Sequence, residues 1–343
     1  MSLKSLTDSF GRVVNYLRIW LTDQCNFRCI YCLPPEGLPC LSQKEILSDD
    51  AILRFVTIAV RLGIERIRLT GGEPLLRPKL PELILQLKKI SDLRDVALTT
   101  NGSRLAEMAQ ILKDAGLDRI NVSLDSLDDE KFRDITLSGA FKRVIAGIEV
   151  AAKIGFPLKI NVVVLKGMND DEVLKFANLA LQNSVEVRFI EFMPLCGTGW
   201  RPELVYPLTE VKKLIRTRFS LYREDGRGDH VAENFVVSDG QRHARLGFIA
   251  TLSEPFCDSC SRIRLTADGN IRPCLFSREE FAVKPLLDAQ ASDEEIADRI
   301  HLAVMNKPRG SDFFQSQSQS NLINLNAYVG RECETPAIRS IGG

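Results

Sequence analysis

The 343-residue chain contains no long hydrophobic run. No uncharged stretch approaches the roughly 20 residues that a membrane helix needs, so a helical span is not expected. The N-terminal stretch "MSLKSLTDSFGRVVNY" also lacks the apolar segment of a secretory signal. Net charge is absent, since 45 Lys and Arg balance 45 Asp and Glu. Without a global field to draw the chain to nucleic acid or an anionic membrane, an anionic ligand has to be held by basic residues placed locally. Histidine is scarce: three residues form no ligand pattern, and histidine acid–base chemistry is not expected. Together these absences predict a cytoplasmic protein, in a compartment where disulfides are rare.

What the chain does have is cysteine, nine in all, within an otherwise ordinary globular composition of 45% apolar and 26% charged residues. In a reducing compartment that number favours metal ligation. Cys25, Cys29 and Cys32 fall within "LTDQCNFRCIYCLPPEG", and Cys257, Cys260 and Cys274 within "CDSCSRIRLTADGNIRPC". Both sets stop at three. Iron–sulfur clusters are ordinarily held by four thiolates, so three on a four-iron cluster leave one iron open to an exogenous ligand. The alternative is structural zinc, which needs a closed shell of four. Cys40 would have to complete the first shell, and Cys196, Cys333, His230 or His243 the second. The spacing favours open clusters; on that reading Cys40, Cys196 and Cys333 are free thiols.

A repeating rhythm surrounds the first triad. Short β-branched runs at 16–22, 66–70, 95–100, 119–124, 158–164 and 186–192 alternate with amphipathic helical patterns such as "SDDAILRFVTIAVRLG" and "DDEVLKFANLALQN". Such alternation predicts right-handed βαβ units in a parallel sheet. The expected fold is α/β, a partial (βα)6 TIM-like barrel, with a doubly wound sheet as the alternative. After about Trp200 the rhythm gives way to short antiparallel strands and helices. A boundary near Arg218 divides the chain into residues 1–218 and a C-terminal extension, 219–343. The low-complexity segment "FFQSQSQSNLINLN" is expected to be mobile or ordered by ligand.

The segments after the predicted strands carry the polar and glycine signals: the first triad, "GGEP" (71–74), "TNG", Ser123 with Asp125, and Glu191 with Met193. In parallel barrels these positions share one ligand-binding face. Arg18, Arg68 and Lys159 alternate along their strands as inward-directed side chains do. Buried cations need an anion, either a shared ligand or an internal carboxylate such as Glu73, Asp125 or Glu191. Arg188 joins them as a further inward cation or as a salt-bridge partner.

The spacing C-x3-C-x2-C after a first strand, with Tyr31 before the third cysteine and "GGEP" after the second strand, resembles the radical S-adenosylmethionine enzymes. That resemblance implies a 4Fe-4S cluster whose open iron chelates S-adenosylmethionine and whose electron releases a 5′-deoxyadenosyl radical. It also implies that the "GGEP" backbone meets the methionyl amino group. With "DSFGR", "RLTGGEPLLR", "INVSLDSLD", "RFIEFM", "SRIRLTADG", "RPCLF" and a terminal "IGG", nearly the whole chain resembles the molybdenum-cofactor biosynthesis protein A family, the GTP 3′,8-cyclases.

The implied reaction joins ribose C3′ of GTP to guanine C8, giving 3′,8-cyclo-7,8-dihydro-GTP for cyclic pyranopterin monophosphate synthase. The implied cofactors are S-adenosylmethionine and two 4Fe-4S clusters, the second facing GTP. By the same resemblance Tyr31, Gly72, Ser123 and Met193 contact S-adenosylmethionine. Arg18, Arg68, Thr99, Lys159, Arg262, Ile263 and Arg264 bind GTP. Gly342 and Gly343 reach the active site and act there with Arg188. An electron donor is required, and a homodimer is compatible. Two departures stand out: Trp20 where the family has a smaller residue, and the variant tail "AIRSIGG". The rivals are a radical enzyme acting on a peptide and a non-enzymatic electron carrier.

Overall fold

The computed structural model describes residues 6–32, 40–183, 185–195, 198, 200–224, 232–277 and 279–310. Six strands follow the expected rhythm: β1 (Tyr16–Trp20), β2 (Arg66–Thr70), β3 (Asp95–Thr100), β4 (Arg119–Ser123), β5 (Leu158–Val164) and β6 (Glu186–Glu191). Between them lie α1 (Asp49–Arg61), α2 (Leu80–Leu87), α3 (Leu105–Asp114), α4 (Asp129–Thr136), α5 (Phe141–Lys153) and α6 (Val173–Asn183). Ser48 caps α1 by accepting from the Ala51 N–H, as its position predicts. The pattern "DDEVLKFANLALQN" is helical only from Val173, because Asp170–Glu172 forms a 3-10 turn.

The C-terminal portion contributes α7 (Leu208–Arg216), β7 (Ser220–Arg223), β8 (Glu233–Ser238), β9 (His243–Ile249), β10 (Arg262–Leu265), β11 (Asn270–Arg272), β12 (Phe281–Ala282), α8 (Lys284–Asp288) and α9 (Asp293–Met305). All twelve strands form one sheet in the order β12-β11-β10-β1-β2-β3-β4-β5-β6-β9-β8-β7. The sequential order of β1 to β6 is that of a partial barrel and removes the doubly wound alternative. The sheet is open.

Its edges differ from the expectation of a purely antiparallel extension. β9 pairs antiparallel with β8 but parallel with β6, and β10 lies parallel to β1. The C-terminal portion therefore continues the parallel sheet on both sides.

Alternation sorts the side chains into two environments. Leu17, Ile19, Ile67, Leu69, Val96, Leu98, Ile120, Val122, Ile160 and Val162 are buried in the main core with helical residues such as Ile52, Phe55 and Phe176. The opposite face carries Arg18, Arg68, Thr99, Asn121, Ser123, Asn161 and Arg188, all of which line a cavity. A small barrel usually fills its interior with side chains; here polar and charged residues surround open space. No described helix is long and apolar enough to cross a membrane.

Candidate active site

The first triad follows β1 directly, and its half-buried thiols line the cavity. The loop is fastened to the "GGEP" segment: the Gly72 N–H donates to Thr22 O at 2.7 Å and the Glu73 N–H to Gln24 O at 2.7 Å. A Cβ on Gly72 would overlap the Gln24 carbonyl, and one on Gly71 (φ +151°) would lie 2.5 Å from Thr22 O. Glycine is needed because two backbones meet there. Trp20 fits beneath this contact, since its Cδ1 would be 2.9 Å from a Gly71 Cβ; a side chain at 71 would displace it.

Glu73 is a linchpin rather than a cation's partner. Its carboxylate accepts from Leu75 N–H (3.0 Å), Thr100 Oγ1 (2.6 Å) and Asn101 N–H (2.7 Å). Burial raises its pKa to about 7 despite those bonds. Tyr31 donates its hydroxyl to Asp125 Oδ2 at 2.6 Å, while Asp125 Oδ1 accepts from Val163 N–H at 2.8 Å. These bonds tie the cysteine loop to the ends of β4 and β5. Burial pushes Cys29 well up and Cys32 up to about 12, with the neighbouring thiols adding to the shift. A metal would displace those protons.

The second triad lines the same cavity. Burial works against ionisation of Cys260, but Arg262, Lys307, the Arg262 backbone N–H and Arg264 outweigh it and bring the pKa down to about 5. Among the described residues no three His, Cys, Asp or Glu side chains converge on a single-ion site. A four-iron cluster makes no such demand, because each thiolate binds its own iron. Cys40 and His243 are exposed and do not line the cavity. Cys196, Cys333 and His230 lie outside the described residues.

Between the triads runs a row of cations. Strand register places Arg18 opposite Arg264 on one side and Arg68 on the other. Arg68 donates to Tyr16 Oη at 2.6 Å and Thr99 Oγ1 at 3.1 Å. The Nε atoms of Arg18, Arg262 and Arg264 are buried without a hydrogen-bond partner among the described residues. Burial, then repulsion from Arg262 and Arg264, holds the Arg18 pKa well below its usual value. Crowded, under-satisfied guanidinium groups fit a polyanion.

Tyr31, Gly72, Ser123 and Met193 all line the cavity, as do Arg18, Arg68, Thr99, Arg188, Arg262 and Arg264. Two expected GTP residues do not. The Ile263 side chain alternates away from its arginine neighbours and is fully buried in the core. Lys159 shares the parity of cavity-lining Asn161, yet pairs with Glu186 at 2.8 Å. An internal salt bridge thus forms, but with none of the three carboxylates expected from the sequence: Asp125 and Glu73 serve loops, and Glu191 accepts from Leu252 and Ser253 N–H. Arg188 combines both expectations, lining the cavity while its Nε meets Glu186 at 2.6 Å. Gly342 and Gly343 lie outside the described residues.

Sequence reasoning missed Arg12, Asn121, Asn161 and Lys307 on the cavity wall. The two asparagines carry a usable signal: each shares strand parity with an expected site residue, Asn121 with Ser123 and Asn161 with Lys159. Arg12 and Lys307 carry no comparable local signal.

A thiol triad after the first strand, fastened to a diglycine loop at the mouth of an open parallel barrel, defines a radical S-adenosylmethionine enzyme. Residues 20–180 match the Radical SAM superfamily, and residues 185–313 match Molybdenum Cofactor Synthesis C. The chain belongs to the GTP 3′,8-cyclase family. It is 45% identical over 308 residues to the GTP 3′,8-cyclase of Thermodesulfovibrio yellowstonii, covering 89% of this chain and 95% of that protein. It is 44% identical over 311 residues to the Streptomyces coelicolor GTP 3′,8-cyclase, covering 89% and 91%. Among solved structures, Streptococcus suis SuiB bound to precursor peptide SuiA shares the fold, with a TM-score of 0.63 at 13% identity over 96% of this chain and 76% of that one.

Proposed function

We propose that this chain converts GTP to 3′,8-cyclo-7,8-dihydro-GTP in the first step of molybdenum cofactor biosynthesis. The observation that carries the reading is the arrangement of one cavity: a thiol triad at each end, with a row of arginines between them. The residues present suit a four-iron cluster at Cys25, Cys29 and Cys32, with Gly72, Tyr31, Ser123 and Met193 placed to receive S-adenosylmethionine. When bound, that cofactor pair would supply the 5′-deoxyadenosyl radical that removes hydrogen from ribose C3′. C3′ then bonds to guanine C8 at the expense of the C8–N7 double bond, and one electron from a donor with one proton at N7 completes the 7,8-dihydro product.

The protein's own work is placement and exclusion. Arg18, Arg68, Arg262 and Arg264 give the triphosphate fixed, charge-assisted donors, which sets where C3′ lies. Thr99 holds one Arg68 fork nitrogen in place. The Tyr31–Asp125 bond fixes the cluster loop, and the helix-covered barrel wall keeps bulk water from the reacting carbon. Lys159 joins the triphosphate set if the ligand draws it from Glu186; Ile263 contributes through the backbone between its two arginines. The tail residues Gly342 and Gly343 act with Arg188 in placing the reacting centre.

The finer parts of the reading rest on the donor set and on the family. Cys257, Cys260 and Cys274 would hold a second four-iron cluster on the GTP side of the cavity, where its open iron would offer the substrate a Lewis acid. The division into 1–218 and 219–343 is one of function, radical generation against substrate capture. An electron donor, hand-over to cyclic pyranopterin monophosphate synthase and a homodimer complete the setting, in a reducing cytoplasm that suits oxygen-sensitive clusters.

The test is anaerobic incubation of the full chain with S-adenosylmethionine, a strong reductant and GTP deuterated at C3′. Deuterium should appear in 5′-deoxyadenosine in step with cyclised nucleotide. Release of unlabelled 5′-deoxyadenosine without a cyclised product would sink the reading, and a bare electron carrier would give neither.

A further inference from the structure

Lys307 follows α9, in "NKPRG", and is 2% exposed. Its ammonium group donates to Arg262 O at 2.8 Å, Pro273 O at 2.9 Å and Cys260 Sγ at 3.4 Å. One acceptor lies on the arm bearing Cys260 and β10, another beside Cys274 on the arm that returns from β11. A single cation therefore joins the two arms of the second triad.

The burial of that cation calls for a counter-charge. An ammonium removed from water is costly unless paired, and among the described residues no carboxylate pairs with Lys307. The acidic groups nearby are taken: Asp8 by Arg12 and Glu280 by Arg272. Arg262 and Arg264 add further positive charge around Cys260. What remains to balance Lys307 is the triad itself. A single Cys260 thiolate is shared among Lys307, Arg262 and Arg264, whereas three thiolates on a cluster would balance them.

The segment is also anchored. Arg12 donates to Cys257 O (2.8 Å), Pro308 O (2.6 Å), Arg309 O (3.0 Å) and Lys307 O (3.4 Å), and its Nε is held by Asp8 at 2.5 Å. The Lys307 backbone and Cys257, the first cysteine of the triad, thus share one guanidinium, so the lysine keeps a fixed place relative to the metal ligands.

We propose that Lys307 is the counter-cation of the second cluster, a positioning residue that holds both arms of its triad and raises its reduction potential. The proposal rests on the two-cluster reading above. A cation beside a ligand sulfur stabilises the reduced, more negative cluster, and hydrogen bonds to sulfur act in the same direction.

The test uses the full-length chain reconstituted anaerobically as wild type, Lys307→Gln and Lys307→Arg, with iron counted and each cluster titrated by electron paramagnetic resonance. The signal missing from Cys257→Ala marks the second cluster. Wild type should hold about eight irons, four per cluster. Lys307→Gln keeps a donor and removes the charge. Its second-cluster reduction equilibrium should fall about tenfold, a shift of about 59 mV for a one-electron couple. The first cluster's midpoint should stay in place, and Lys307→Arg should restore the second. Loss of the second cluster in Gln but not in Arg would also support the proposal. Eight irons with an unmoved midpoint in Lys307→Gln would overturn it, as would equal loss of the cluster in Gln and Arg. Four irons in wild type would instead remove the two-cluster reading itself, before any variant is compared.

Discussion

Arg18 sits on β1 between Arg264 and Arg68 in register, and its Nε is buried with no hydrogen-bond partner among the described residues. Folding without ligand therefore works against it. Arg18→Met keeps an unbranched, mostly apolar stem and removes the repulsion. The ligand-free protein should gain about 1 kcal/mol or more, because apolar replacements of buried charge are often stabilising. GTP binding should weaken by about 1.5–3 kcal/mol for the lost charge-assisted contact. Calorimetry of the two proteins with and without GTP checks both signs together. A less stable ligand-free variant would show that Arg18 serves the fold.

Glu186 behaves in the opposite sense. Burial alone would raise its pKa, but Arg188 and Lys159 outweigh burial and hold it below the usual carboxylate value. A carboxylate depressed by folding adds stability above its unfolded pKa and loses it as pH falls through the folded one. Glu186→Gln should lower ligand-free stability by about 3 kcal/mol at neutral pH, since it takes a charged partner from buried Arg188 and half-buried Lys159. The gap from wild type should close in acid, once Glu186 is protonated. A gap that stays constant from neutral pH down through the acid range would show that the two cations do not depend on its charge.

Among the elements, the "GGEP" loop and the first triad act as one unit. Gly72→Ala places a Cβ against Gln24 O, so the Thr22–Gln24 strap has to move and carry Cys25 with it. Overpacking of this kind costs about 1–3 kcal/mol. The expected reading is loss of the first cluster and of 5′-deoxyadenosine formation, with the signal of the second cluster kept. Full iron in this variant would show that the strap yields without disturbing the cysteines.

Elements β1 to β6 were legible because each is a short β-branched run between helical patterns, and alternation correctly faced Arg18 and Arg68 inward, while Arg188, left open between two roles, fills both. Alternation states a face but not a neighbour. The two arginines of "RIRL" were legible as site residues, while its place as β10 beside β1 was not. That pairing joins residues far apart in sequence, with no turn to announce it. The same reason hid Arg12, whose acceptors at Cys257 and Lys307 are 245 and 295 positions away. Lys159 was legible as inward but not as taken, since Glu186 reaches it only through the β5–β6 register.

At the scale of the whole molecule, the barrel is a sheet closed off on each side by its own later half. β10 covers the edge of β1, and β9 covers the edge of β6. A chain ended at Arg218 would keep all six central strands yet leave both edges bare, and unpaired strand edges are templates for aggregation. Such a fragment should be insoluble or bind hydrophobic dyes strongly; a soluble, cooperatively melting fragment would show that the edges need no cover. The arrangement also imposes a timetable on synthesis. Ile19 pairs with Leu265, which leaves the ribosome 246 residues later. At about 5–20 residues per second that is a wait of roughly 12–50 s with one flank of the nascent sheet open. Throughout that interval Cys274 has not been made, so the second triad is still incomplete when the β1 flank is finally covered by β10.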